Sequence, residues 1–292
     1  MIKPTYFLQK IKMYIAVNII YKNIILYNFV IYLLRHINLF LPHEDDIYGL
    51  RYLKLNRNNK IVDIGASDGL YFRSVRSIGI KNSFVCFEPL PVNKPYLTKL
   101  SKAGKLKFHS LALGNKNSTL KLYTLKCKNI LLNNYSSFSK KKCFQKIKIS
   151  GFNIKSNFIK FICNKVKQKK LDEFKIKASL IKVDTEGYEK NVISGSLNTI
   201  KESKPVIRIE YDIINRDTNT LEFILKKISK YQYKPYSFDL YNKKFIKSLT
   251  DRPNREEMES IGENWRPYRG AGALLLWHVY GVVVKKADVS NI

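Results

Sequence analysis

The sequence predicts an α/β fold, a mostly parallel sheet with helices on both faces. Two observations predict it. Short apolar runs alternate with helix-like polar stretches along the 292-residue chain, and the residues able to do chemistry gather where those runs end. Strands that alternate with helices pair in parallel, and ligands in such sheets sit beyond the carboxyl ends of the strands.

The first strand is Ile61 to Ile64, within IVDIGASDGLY at 61–71. It leads into a turn spaced Asp63-x-Gly65-x-x-x-Gly69, where glycine permits positive φ or close approach of backbone to a ligand. A helix is expected to start near Gly69. The spacing differs from the Gly-x-Gly-x-x-Gly dinucleotide turn and lacks the Lys-Ser/Thr of a phosphate loop, which argues against a pyrophosphate ligand. S-adenosyl-L-methionine, a nucleoside without phosphate, fits the turn better. Gly65, Ala66, Ser67 and Gly69 are its expected contacts, and Asp63 either fixes the turn or reaches the amino group of the methionine moiety.

A helix-like YFRSVRSIGI follows, then the strand FVCFEP, stopped by Pro89. Its last residue, Glu88, stands nineteen residues beyond Gly69, where an acidic side chain can accept hydrogen bonds from both ribose hydroxyls. After the polar stretch NKPYLTKLSKAG, a third strand is read at 105–114, and Ser110, Ala112 and Leu113 at its end are placed to flank an adenine ring. STLKLYTL at 118–125 reads as hairpin-like. A fourth core strand, Leu180 to Val183, ends on Asp184, Glu186 and Glu189, and KPVIRIEYD at 204–212 supplies a fifth, ending near Glu210.

These segments, IVDIGASDGLY, FEP at 87–89, LALGNKNSTLKLY, LDEF at 171–174, IKVDTEGYEKNVISGS and PVIRIEY, resemble in order the landmarks of FkbM-type S-adenosylmethionine-dependent methyltransferases over residues 45–245. The resemblance implies a Rossmann-like class I methyltransferase fold and methyl transfer to a hydroxyl of a sugar, glycan or polyketide-type product. Ser67 stands where that pattern usually carries Asn.

The chemistry agrees. In-line transfer from a sulfonium gains most from holding donor and acceptor at near-attack distance. An alcohol acceptor must also lose a proton, which calls for a positioned carboxylate or histidine. Asp184 and His109 are the candidate bases, with Glu186 beside them; a hydrogen-bonded strand-end role is the alternative for His109. No spacing singles out a metal site. Cys86, Cys127, Cys143 and Cys163 lack Cys-x-x-Cys spacing or paired His ligands, which excludes zinc and redox readings and suits reduced thiols in the cytoplasm.

The net charge is +30. Beyond residue 250 six basic residues balance six acidic ones, so the excess lies in the first 250 residues, mostly as lysine beside Asn, Ile and Tyr. Scarce arginine argues against nucleic acid as the partner, although a basic RNA- or DNA-binding protein is the alternative class. Lys140 to Lys142 and Lys165 to Lys170 suit an anionic glycan or lipid head group, and the surrounding 126–170 reads as an insertion that binds the acceptor or forms a lid.

Two appendages flank the predicted domain at 45–250. Residues 1–44 form an apolar helical extension whose stretch 13–34 is long enough to span a bilayer, but Lys22 near its middle favours packing on the domain or lying at a membrane surface. No small-residue cleavage site follows that stretch, against a removed signal peptide. Residues 251–292 break the composition, and WRPYR…ALLLWH resembles the end of helix-hairpin-helix 3-methyladenine DNA glycosylases. The glycosylase's hairpin and catalytic aspartate have no match upstream, so a short helical appendage without base-excision activity is expected.

Overall fold

The central apolar runs become strands because they are buried on both faces, which demands continuous rather than alternating hydrophobicity. The computed structural model describes residues 44–127, 130–149, 159–209, 218–239, 244–247 and 281–285, with isolated positions between 29 and 42. Its elements are β1 (Lys60–Ile64), α1 (Leu70–Ser77), β2 (Phe84–Phe87), α2 (Lys94–Lys102), β3 (Lys107–His109), β4 (Ala112–Leu113), β5 (Ser118–Cys127), β6 (Ile130–Ser137), α3 (Lys140–Ile149), β7 (Ile159–Lys169), β8 (Ala178–Val183), α4 (Glu189–Ser194), α5 (Leu197–Ser203), β9 (Val206–Ile209), α6 (Thr218–Ile228), β10 (Tyr233–Asp239), β11 (Lys244–Lys247) and β12 (Gly281–Lys285). A 3-10 turn, Asp45–Tyr52, precedes β1.

The main sheet has eight strands in the order β11-β10-β12-β9-β8-β1-β2-β3. Strands β3, β2, β1, β8 and β9 run parallel, while β12 lies antiparallel between β9 and β10 and β11 pairs antiparallel to β10. The chain steps outward from β1 to β3 and then resumes at β8 on the other side. Its reversal between β1 and β8 is the switch point where open α/β sheets bind ligands.

Both faces of the sheet are covered. Val62, Ile64, Val85, Phe87, Ile181, Val183, Ile207 and Ile209 pack under Ile193, Ile200 and Ile224 of α4, α5 and α6. On the opposite face Ile61, Phe84, Cys86, Leu180 and Val206 meet Tyr71, Phe72 and Val75 of α1, Leu97 of α2, and Ile47 and Leu50 of the 3-10 turn. Asp172, in the LDEF turn, caps α5 from a distance by accepting the backbone N–H groups of Asn198 and Thr199 at 3.1 and 2.8 Å.

Within the described strands of the main sheet, buried charge gathers at one level. Asp63, Lys182 and Arg208 occupy paired positions on β1, β8 and β9, so their side chains share a face, and all three are buried. Arg208 donates through Nε to Asp46 Oδ2 at 2.9 Å and through Nη2 to Asp46 Oδ1 at 3.2 Å, and it also bonds Glu44. This clasp fastens the segment ahead of β1 to the middle of the sheet.

Three expectations change. The third strand is only Lys107–His109, because the chain then crosses into a second, four-stranded sheet of order β4-β7-β5-β6. Residues 118–125 are one strand rather than a whole hairpin: they belong to the ten-residue β5, paired antiparallel to β6 on one side and to β7 along its length on the other. The described residues of the region 126–170 carry β6, α3 and β7, and both strands belong to that second sheet. The C-terminal segment contributes strand β12 where only helices were expected; its helix at 271–280 and the glycosylase-like stretch lie outside the described residues. The stretch 13–34 falls almost entirely outside them too, and no described helix is long and apolar enough to cross a membrane.

Arg208→Met removes the cation facing two buried carboxylates. We expect a loss of about 3–5 kcal/mol, the range for breaking one side of a buried ion pair, read as a lower denaturant midpoint.

Candidate active site

The crevice at the switch point is built from two turns in direct contact. The turn after β1 is pinned to the tip of β2, since the N–H groups of Gly65 and Ala66 donate to Phe87 O at 2.9 and 3.2 Å. Gly65 and Gly69 have φ of 78° and 86°, and α1 begins directly after Gly69. Gly65 is required for a second reason. A Cβ there would stand 1.8 Å from the backbone oxygen of Asp184, so the turn after β8 rests against the place where a side chain would be.

Ser67 also has a left-handed φ, 49°. Asn is enriched several-fold in that region over other non-glycine residues, which explains why Asn is usual at this position in the resembling pattern. The Ser67 N–H donates to Glu88 Oε2 at 2.8 Å, and the Leu90 N–H donates to Oε1 at 2.7 Å. Glu88 is therefore aimed at the β1 turn. Burial pushes its carboxyl up to about 7, opposed by the Leu90 and Ser67 N–H groups and by the charge of Lys182.

The acidic turn after β8 divides its three carboxylates. Glu189 is buried, and its Oε1 accepts from the N–H groups of Thr185 and Gly187 at 3.1 and 2.9 Å and from Thr185 Oγ1 at 3.0 Å. It holds the turn and is not a reactive group. Asp184 keeps 27% of its side chain accessible, and Glu186 is exposed with a left-handed φ of 57°. A non-glycine residue held in that region marks a constrained turn. Beyond the turn, Tyr188 stacks obliquely on Phe138 at 4.7 Å and donates from its hydroxyl to Gln168 Oε1 at 2.8 Å.

Sequence reasoning missed Lys182. Its ammonium donates to Gly65 O at 2.9 Å and lies 3.3 Å from Asp63 Oδ1 and 3.1 Å from Asp184 Oδ2. Asp63 is fully buried, and its carboxyl is raised by burial, with Lys182 opposing. Of its two expected roles the structure supports the fixing of the turn, because no part of Asp63 is open to the crevice. The missed signal was present as one charged residue in each of IVDI, LIKV and VIRI. Buried charge demands a partner, and in-register parallel strands supply it.

His109 is not brought to the carboxylates. It ends the edge strand β3, three strand spacings from β8, or about 14 Å. Its ring stacks on Phe87 at 5.0 Å and meets Phe174 edge-on at 4.9 Å, and burial lowers its pKa. The structure thus places His109 apart from the Asp184 turn, in the stacked strand-end setting that was its alternative reading. Ser110 is exposed, whereas Ala112 and Leu113 are buried in β4 of the second sheet. Glu210 lies outside the described residues. Among those described, no group of three His, Cys, Asp or Glu side chains is arranged to hold a metal ion.

A profile for the methyltransferase FkbM domain matches residues 63–235, more than half of the chain. The chain belongs to the FkbM methyltransferase family. Solved structures similar to this FkbM-type chain include a methyltransferase FkbM from Methylobacillus flagellatus KT, at 17% identity over 66% of this chain and 45% of that one, with a TM-score of 0.42. A precorrin-6y C5,15-methyltransferase from Geobacter metallireducens GS-15 is similar at 11% identity over 68% of this chain and 80% of that one, TM-score 0.34. The plantazolicin methyltransferase BpumL in complex with SAH is similar at 12% identity over 82% and 81%, TM-score 0.32. This chain thus spans less than half the length of the first of these. No curated protein matches it, and nothing in the comparisons supports the glycosylase resemblance of the C-terminal segment.

Two substitutions test this geometry. Ser67→Asn should recover part of the roughly 1–2 kcal/mol that a left-handed conformation costs a non-glycine residue, seen as a higher melting temperature. Gly65→Ala should lower the melting temperature markedly, because the added carbon meets the Asp184 carbonyl.

Proposed function

We propose that this FkbM-type methyltransferase uses S-adenosyl-L-methionine to methylate a hydroxyl of a sugar, glycan or related metabolite. One observation carries the reading: the carboxylates of Glu88 and Asp184 flank the glycine turn at the switch point of the sheet. The residues present fit the donor. Glu88 accepts the Ser67 and Leu90 N–H groups and a side-chain bond from Asn93, and its carboxylate still has a lone pair for a ribose hydroxyl. Bound there, the donor supplies an electrophilic methyl group on a sulfonium.

The protein's own groups do the rest. Gly65, Ala66, Ser67 and Gly69 shape the donor turn, held from beneath by Asp63 through Lys182. Asp184, the partly open carboxylate closest to that turn, orients the acceptor hydroxyl and takes its proton, with Glu186 at the rim. Tyr188 and Phe138 offer an aromatic surface for the apolar face of a sugar ring. Ser110, Ala112 and Leu113 are left on the side of Glu88, where the adenine would lie.

The assignment is tested by titrating S-adenosylhomocysteine into the purified protein. Micromolar binding that Glu88→Ala abolishes supports it, and no heat with folded protein removes it. Acceptor class is read by mass spectrometry, as a +14 Da product from surface glycans incubated with donor; label entering nucleic acid alone would overturn the hydroxyl-glycan assignment.

Glu88 also sets a pH dependence. Its pKa is raised on folding from 4.5 to about 7, so the folded state binds the extra proton and stability falls as pH rises from about 4.5 to 7. Donor affinity runs the other way, because the ionised carboxylate is the stronger hydrogen-bond acceptor. S-adenosylhomocysteine should bind more tightly at pH 8 than at pH 6, and Glu88→Gln should flatten both trends.

A further inference from the structure

We infer that Lys182 is the positioning residue that couples the donor turn to the acceptor-side carboxylate, an inference that rests on reading the crevice as a methyl-donor site. Its ammonium carries three donors, and three oxygens from three different parts of the site stand around it: Gly65 O at 2.9 Å, Asp184 Oδ2 at 3.1 Å and Asp63 Oδ1 at 3.3 Å. The first belongs to the turn that approaches the donor. The second is the carboxylate at the crevice, and the third is a fully buried counter-charge. Lys182 is buried and its ammonium is met by three protein oxygens, so it acts through the groups it holds.

The energetics separate this role from mere stability. A buried ion pair can be replaced by apolar residues at little or no cost in stability, whereas removing one partner alone is destabilising. A pair kept only for stability would therefore be dispensable as a pair. Lys182 is not dispensable in that sense, because it also bonds the Gly65 carbonyl, in a turn where Gly65 and Ser67 both have left-handed φ, and holds Asp184 at a fixed height above the same turn. Removing Asp63 and Lys182 together relieves the buried charge but leaves the Gly65 carbonyl and Asp184 without their shared donor.

The test is calorimetric titration of S-adenosylhomocysteine, with thermal unfolding, on wild type, Lys182→Met and Asp63→Val/Lys182→Met. Lys182→Met should melt earlier and bind at least about tenfold more weakly, the loss expected when a charge-assisted hydrogen bond is removed. The double variant should recover most of the melting temperature and still bind at least about tenfold more weakly. Wild-type affinity in the folded double variant overturns the proposal while leaving the donor reading intact. No binding by wild type overturns the donor reading, and this proposal with it. Should neither variant fold, Lys182→Arg keeps the buried charge but displaces the donors, and wild-type affinity there overturns the proposal equally.

Discussion

One buried ammonium group organises this site. Lys182 sits at the level of the sheet where β1, β8 and β9 each replace an apolar residue with a charged one, and it is bounded by Asp63 on one side and Arg208 on the other. Two adjacent cations in a core are costly unless anions close the row. Asp63 and Asp184 do so for Lys182, and Asp46 and Glu44 do so for Arg208. The ring of Tyr71 lies 5.7 Å from the Lys182 ammonium and 5.4 Å from the Arg208 guanidinium, placing a negative π-face beside both cations. The fold therefore accepts a polar stripe through its centre, and the end of that stripe is the floor of the crevice.

Backbone contact does the remaining work. Because the Gly65 turn touches the Asp184 carbonyl, and the Asp184 N–H donates to Ile64 O at 3.1 Å, neither turn can move without the other. Glu189 then fixes the far side of the acidic turn through three hydrogen bonds, while Asp184 answers the Lys182 ammonium. That division of labour leaves Asp184 and Glu186 on the open side of the turn.

The sequence disclosed the parallel core and the glycine turn because both obey local rules, apolar runs of four or five residues and glycine where φ must be positive. Glu88 was legible for the same reason, as spacing along one βαβ unit places it. The role of Glu189 was hidden, since three acidic residues in six look alike until the turn folds and points one of them inward. Lys182 and Arg208 were hidden because their partners lie on other strands and in the segment before β1, and only strand register brings them together. The separation of His109 from Asp184 was hidden by topology: being at a strand end does not say which strand, and β3 is the edge. The second sheet was hidden by the separation of its longest pair, with Ser118 joined to Gln168 fifty residues away.

That second sheet is fastened to the acidic turn. Gln168, near the end of β7, accepts from Tyr188 and donates to Lys116 O at 2.6 Å, while a Cβ on Gly195 would stand 1.9 Å from Gly114 O. Lys142 of α3 donates to Gly187 O at 3.3 Å. The two sheets are thus joined across the acidic turn by side-chain bonds and bare backbone contact, so the wall formed by Phe138 and Tyr188 is held in fixed relation to Asp184. Phe138 packs beside Leu90, whose N–H bonds Glu88, and Tyr188 follows directly on the acidic turn. Neither side chain is itself among the groups proposed to hold the donor. An exchange of the Phe138 side chain consequently separates the two halves of the site more cleanly than any change at Asp184, which belongs to both.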